Sequence, residues 1–231
     1  MAVRAGRFAC LAVLALAAGA AFAAAQDGIP APAAKTEEPA KPAGTTFHLG
    51  VFEKQTNVIF ESETTVETIH GITHSLKGTA ALDFAAGTGT VDLSLPVAAL
   101  RTGIDPRDGH MRSDGWLDAE KFPDIAFKAK SLKRTKSDEA SKKETWAYEG
   151  AITIHGVTKD LKGEATIQRV PEELGAKLGR GSWIKVKTAF QVALKDFAIE
   201  VPEKSAASVS QTWDIKVDIY GTTVLPEPKK E

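Results

Sequence analysis

Trp213-Asp214-Ile215-Lys216-Val217-Asp218-Ile219-Tyr220 alternates apolar and polar side chains without a break. In an extended chain successive side chains point to opposite faces, so Ile215, Val217 and Ile219 share one side and Asp214, Lys216 and Asp218 the other. The same period of two recurs upstream. It is present in Val91-Asp92-Leu93-Ser94-Leu95, in Trp183-Ile184-Lys185-Val186-Lys187, in Ile152 and Ile154 with Ala151 and Thr153 between and before them, and in Ile125 and Phe127 beside Ala126 and Lys128. One face inward and one face in water is the pattern of antiparallel strands.

Gly- and Lys-rich breaks separate these runs, at Lys77-Gly78 and at Gly87-Thr88-Gly89, and the charged stretch 133–144 is expected as a long solvated hairpin loop. Helix signals are scarce. Asp118 can cap a short helix through Ala119-Glu120-Lys121 that Pro123 ends, and a second turn is expected over 107–112. The count comes to about eight strands, enough to close a barrel and remove exposed edges. The expected fold is therefore all-β, an antiparallel eight-stranded barrel with one or two short helices. A two-sheet sandwich is the competing architecture, because alternation alone does not separate the two.

The ends of the chain have other jobs. Arg4 and Arg7 precede an uncharged apolar run from Phe8 to Phe22, and small residues follow at Ala21-Phe22-Ala23 and Ala23-Ala24-Ala25. Residues 1–25 fit a cleavable signal peptide, and the run falls short of the ~20 apolar residues of a comfortable membrane span. An uncleaved anchor is the alternative. Residues 26–45 hold Pro30, Pro32, Pro39 and Pro42 among Ala, Lys and Glu, a composition suited to a disordered linker. The folded domain is expected over 46–225, with a polar tail at 226–231. The single cysteine, Cys10, lies inside the leader, so mature protein would have no disulfide, thiol nucleophile or thiolate metal site. A net charge of −1 gives no electrostatic case for nucleic acid.

Catalytic patterns are missing from the sequence. There is no GxSxG elbow and no HExxH, and Asp118 with Glu120 belongs to a short solvated turn. His70 and His74 are four apart, a helix-face spacing, but Gly71, Ile72 and Thr73 between them favour a strand or turn. No metal site, no catalytic residue and no cofactor are expected. An enzyme or metal site built on His70, His74 and His110 is the minor reading. His155, at the end of a strand, is expected to be a hydrogen-bonded structural residue. The face expected to line a barrel comprises Val58, Phe60, Leu82, Phe84, Leu93, Ile125, Phe127, Ile152, Ile154, Val186, Phe190 and Val217. An eight-stranded barrel can be filled by its own side chains or leave room for one ligand, and the residues alone leave both open.

Two segments carry a resemblance. The first is Thr102-Gly103-Ile104-Asp105-Pro106-Arg107-Asp108-Gly109-His110-Met111, continuing through Trp116-Leu117-Asp118-Ala119-Glu120-Lys121-Phe122-Pro123-Asp124-Ile125-Ala126-Phe127. The second is Tyr148-Glu149-Gly150-Ala151-Ile152-Thr153-Ile154-His155-Gly156-Val157-Thr158-Lys159. Both resemble signature blocks of the YceI-like family of exported lipid-binding proteins, with Trp116 where an aromatic is usual. The stretch from Glu67 to His74 departs from the commonest family pattern.

The resemblance implies a lipocalin-like barrel whose interior holds an isoprenoid-type lipid, a polyprenol or a quinone, in a periplasmic or secreted non-enzymatic carrier. A packed-barrel protein-interaction module without a lipid ligand is the alternative. Arg107, Asp108, His110 and Trp116 are candidates for the mouth, where they would fix a headgroup; the competing reading has Arg107 and Asp108 pinning a long loop across one barrel end. No membrane span is expected in the mature protein, and a homodimer is compatible with the sequence without being required by it.

Overall fold

The computed structural model describes residues 44–226. The expected signal peptide, nearly all of the linker and the tail after Pro226 lie outside the described residues. Among the described residues there are ten strand segments: β1 (Thr45–Leu49), β2 (Asn57–Glu63), β3 (Thr68–Thr73), β4 (Lys77–Asp83), β5 (Thr88–Pro96), β6 (Asp124–Asp138), β7 (Lys143–Ile154), β8 (Val157–Arg169), β9 (Trp183–Ala193) and β10 (Thr212–Thr222). All pairings between them are antiparallel, in the order β1-β4-β5-β6-β7-β8-β9-β10-β2-β3, and β1 also pairs with β10. The result is a closed eight-stranded barrel.

Ten segments make eight strands because two strands are each broken once. β1 meets one edge of β10 at His48–Thr222 and Leu49–Gly221, and β2 continues along that edge from Asn57–Asp218 to Glu61–Asp214. Opposite them, β4 pairs with β1 and β3 with β2. The two breaks, at 50–56 and 74–76, face each other. Gly50 sits at φ +67°, and a Cβ there would run into the carbonyl of Leu76, so only glycine suits the corner. His74 Nδ1 lies 2.6 Å from the carbonyl oxygen of Thr56, whose hydroxyl in turn donates to the Phe52 carbonyl at 3.0 Å. A carbonyl only accepts, so Nδ1 carries the proton, and His74 is a clamp on the broken strand.

The charged stretch 133–144 is not a long loop. β6 runs on to Asp138 and β7 starts at Lys143, with register shifts at Ala129/Ser131 and Arg134/Lys136. A tight turn remains, built on the Asp138 carboxylate, which accepts from the amides of Ala140 and Ser141 and from the Ser141 hydroxyl at 2.7 Å. The ladder hydrogen bonds of two paired arms outweigh the low strand preference of Lys, Arg and Asp.

Helices also fall differently. The Asp118 segment is a single turn, in which the amides of Lys121 and Phe122 share the Asp118 carbonyl. Asp118 has φ +46°, outside the helical range. The helix in this connection is α1 (Asp105–Arg112), where the expected second turn lay. Pro106 starts it, Asp105 and Asp108 occupy its first turn, and His110 and Arg112 its last, which suits the helix dipole at both ends. A second helix, α2 (Glu172–Leu178), follows Pro171 and lays Gly175 against the Trp183 ring.

The barrel ends are closed by unlike material. At the end of the β6–β7 turn, Trp146 is fully buried and meets Phe84 edge-on at 5.9 Å, while Phe84 meets Phe47 at 6.1 Å. Trp146 Nε1 donates to Glu144 Oε2 at 2.9 Å. Glu144 is only 1% exposed and stands 3.3 Å from Arg134 and 3.6 Å from Arg169. The opposite end is covered by the connection from β5 to β6 and by the segment between β9 and β10. These bring Val97, Leu100, Met111, Leu117, Leu194, Phe197 and Ile199 into the core.

Candidate functional site

Strand alternation directs one face of every strand inward, and the inward side chains do not fill the barrel. A cavity of about 180 Å³ runs between the two closed ends. Apolar cavities of ~150 Å³ already stay dry and accept a molecule such as benzene. The wall includes Val58 and Phe60 from β2, Leu82 from β4, Leu93 from β5, Ile125 and Phe127 from β6, Ile152 and Ile154 from β7, Val186 and Phe190 from β9, and Val217 from β10. Of the residues expected to face the lumen, Phe84 alone is not in the wall. It lies beyond the end of β4, where it packs between Phe47 and Trp146 as part of the plug.

Other wall residues escaped the sequence reading. Leu100 and Leu117 come from the covering connection, where no strand period marks them. Tyr148 and Trp213 follow the same alternation as their neighbours, so the period of two was sufficient to find them. Small residues open the space: Ala80, Ala126, Ala129 and Ala165 stand in the wall. Phe60 is laid against Gly71 so closely that a Cβ at residue 71 would overlap its ring. Phe60 then stacks on Trp213 with ring centroids 5.2 Å apart.

Among the described residues no charged side chain lines the cavity. Its polar atoms are few. The Thr188 hydroxyl donates to the Glu164 carbonyl at 2.9 Å, so it receives the Tyr148 hydroxyl, 3.3 Å away, as an acceptor. Burial pushes the Tyr148 phenol above its ordinary pKa, with the Thr188 hydrogen bond opposing, and the group stays neutral. The remaining wall residue with a polar side-chain atom is Trp213.

Arg107, Asp108, His110 and Trp116 do not line the cavity. Arg107 pairs with Glu67 at 2.7 Å and reaches the Thr102 hydroxyl with Nε at 3.2 Å. The Asp108 carboxylate accepts from the Thr102 amide at 2.7 Å and hydroxyl at 2.6 Å. Burial would raise its pKa, but the two Thr102 hydrogen bonds and the charges of Arg112 and Arg101 outweigh it and hold the carboxyl below its usual value. Arg112 closes back onto the Asp108 carbonyl at 2.8 Å. These two residues fasten the covering connection. The His110 side chain is exposed, and Trp116 packs half-buried against the core.

His155 Nδ1 lies 3.1 Å from the Phe197 carbonyl with its ring against Phe122, and His70 is an exposed partner of Glu61 at 3.1 Å. Among the described residues no group of three or more His, Cys, Asp or Glu is placed to hold a metal.

The YceI-like domain profile matches residues 51–220, from the first break to the last strand. The chain belongs to the YceI-like family. Its curated relatives include UPF0312 proteins of Pseudomonas putida, 28% identical over 158 residues, and of Pseudomonas fluorescens, 30% identical over 154 residues; each alignment spans 66% of this chain and 73% of the relative. Among solved structures the barrel is similar to Burkholderia cenocepacia BcnA, with a TM-score of 0.58 at 16% identity over 74% of this chain and 99% of that one. A polyisoprenoid-binding domain from Saccharophagus degradans, implicated in plant cell wall breakdown, also gives 0.58, at 15% identity over 78% and 99%. At these identities the structural likeness establishes the YceI-like fold. Among the described residues no helix is long and apolar enough to cross a membrane.

Proposed function

We propose that this YceI-like protein is a non-enzymatic carrier that holds an isoprenoid-type lipid, a polyprenol or a quinone, inside the barrel, and that it works in the periplasm or as a secreted protein. The observation that carries the reading is the cavity itself: about 180 Å³ of space with an uncharged, almost wholly apolar wall. Each CH₂ equivalent moved from water into such a site contributes about 0.8 kcal/mol. A few prenyl units therefore suffice for micromolar binding after association costs. Among the described residues the wall brings no grouped acid, base or nucleophile to a reacting atom. Membership of the YceI-like family, and a structural relative described as a polyisoprenoid-binding domain, support the ligand class. The leader-like sequence at 1–25 supports export.

Native mass spectrometry of protein purified from its own host, followed by organic extraction, tests the reading. A bound mass that extracts as a prenyl lipid is expected. Ala165 stands in the wall, and Ala165→Phe should fill the space and expel the lipid while the barrel remains folded. An empty wild-type protein that also fails to take up added polyprenols and quinones would overturn the proposal.

A further inference from the structure

Paired ladders join the strands of this barrel, but one strand edge is left over. β3 ends the strand order, and its edge away from β2 carries an isolated bridge. There the Ile72 amide donates to the Arg101 carbonyl at 2.7 Å and the Arg101 amide to the Ile72 carbonyl at 3.1 Å. Among the described residues no strand pairs with the rest of that edge, from Thr68 to Gly71. The Arg107–Glu67 ion pair adds a side-chain tie between the covering connection and this side of the barrel. The cavity borders this seam. Leu100, next to Arg101, is in the cavity wall, and so is Phe60, whose ring lies over Gly71 of β3. In hydrogen bonds, lifting 100–104 off β3 costs only the bridge and a partly exposed ion pair, whereas parting two strands breaks a ladder. The other interruption, at 50–56 and 74–76, is clamped by His74 on the Thr56 carbonyl and by the Gly50 amide on the Tyr220 carbonyl at 3.1 Å. Exposed apolar side chains stand along the seam. Val66, in the turn between β2 and β3, is 69% exposed, Ile104 before α1 is 49% exposed, and Ile72 on the outward face of β3 is 37% exposed. Among the described residues the other exposed large hydrophobics, Leu174, Val224 and Leu225, belong to α2 and to the segment after β10.

Resting on the lipid-carrier reading, we propose that the seam between β3 and residues 100–107 is the lipid portal, and that Val66, Ile72 and Ile104 seat it on the surface of a lipid bilayer. A prenyl chain is dissolved in the bilayer, and a portal set against the membrane spares that chain a passage through water. Exposed aliphatic side chains beside such an opening gain free energy by entering the interface. The charged groups along the seam are engaged locally. Arg107 pairs with Glu67, His70 with Glu61, and the Arg101 guanidinium donates to the Ala98 and Leu100 carbonyls at 2.7 and 3.0 Å. Apolar area therefore carries the contact, and a zwitterionic surface suffices.

A reversible staple tests the portal. Ile72 and Arg101 exchange both backbone hydrogen bonds, and the Cα atoms of such an antiparallel pair are ~5.5 Å apart, within disulfide range. Ile72→Cys with Arg101→Cys, in a Cys10→Ser background, locks the seam on oxidation. The readout is stopped-flow transfer of a geranyl benzoquinone from phosphatidylcholine vesicles, followed by quenching of tryptophan fluorescence. Oxidation should slow uptake about 10-fold or more, because entry would then require a bonded ladder to part, and reductant should restore the rate. Equal rates in the oxidised and reduced forms would overturn the portal. Val66→Ser with Ile104→Ser changes only exposed side chains. It should slow transfer from vesicles about 3–10-fold, while the same quinone delivered from cyclodextrin enters at the wild-type rate. Unchanged vesicle transfer, or equal slowing from both sources, would overturn the membrane contact. Wild-type protein that takes up the quinone from neither source overturns the carrier reading itself.

Discussion

The two ends of this barrel are closed by opposite strategies. One end is closed by the strands: the long arms of β6, β7 and β8 carry Trp146, Glu144, Arg134 and Arg169 into a knot where a 1%-exposed carboxylate is held by an indole and two guanidinium groups. The other end is closed by connections. There α1 and its flanking turns are tied down by Asp108 on Thr102 and by the surface pair Arg107–Glu67. A knot built on strands opens only if the sheet opens, whereas a cover tied by a few side-chain hydrogen bonds can open with the sheet intact. The difference makes the plugged end the harder of the two to open.

Breaking the plug should have the largest effect. Trp146→Ala removes a fully buried ring and strands Glu144, and should cost about 3–5 kcal/mol in urea unfolding. A loss below ~1 kcal/mol would show that the plug is not part of the cooperative core. Loosening the cover should cost less and act locally. Asp108→Ala leaves the Thr102 amide unpaired, at about 1–3 kcal/mol, and amide exchange across 97–123 should accelerate while β6–β8 stay protected. Uniform acceleration through the barrel would erase the distinction between the ends.

The same carboxylate makes the cover acid-sensitive. Its folded pKa lies below the ordinary value, so its contribution is complete above the usual Asp pKa of ~3.9 and is lost as pH falls through the depressed folded value. Exchange protection of 97–123 should fall over that acid range in the wild type, and the same limb should be flat in Asp108→Asn. The smallest effect belongs to Arg107→Ala. A partly exposed ion pair contributes at most about 1 kcal/mol, so global stability should barely change. The rate of lipid exchange measured by stopped-flow should nonetheless rise if lipid enters past the cover, because one of the ties that hold the cover is removed. An unchanged rate would place access elsewhere.

Much of the wall was legible before the fold was known. Ile125 and Phe127, Ile152 and Ile154, and Val186 and Phe190 are set on one face by a two-residue period that belongs to the extended backbone. Residues 133–144 were not legible as strand, since their charge argues for water and only the paired arm keeps them extended. Glu144 is polar by type and buried by circumstance, because Arg134 and Arg169 converge on it from ten and twenty-five positions away. His74 looked like half of a metal pair, and its true partner is a backbone carbonyl across a break in the strand. The match to the YceI-like family rests on blocks such as 102–127, whose chemistry could be read as headgroup recognition or as loop fastening. In the structure Asp108 and Arg107 hydrogen-bond to Thr102 within the connection.

By itself, then, the sequence determined the strand faces, the all-β class and the uncharged inward face, because side-chain alternation is local covalent geometry and needs no distant partner. Only the tertiary structure decided that the sheet closes on itself, which end is plugged and that the lumen keeps a void. Those outcomes depend on how far-separated residues fill space and satisfy one another's hydrogen bonds, and no local pattern encodes that.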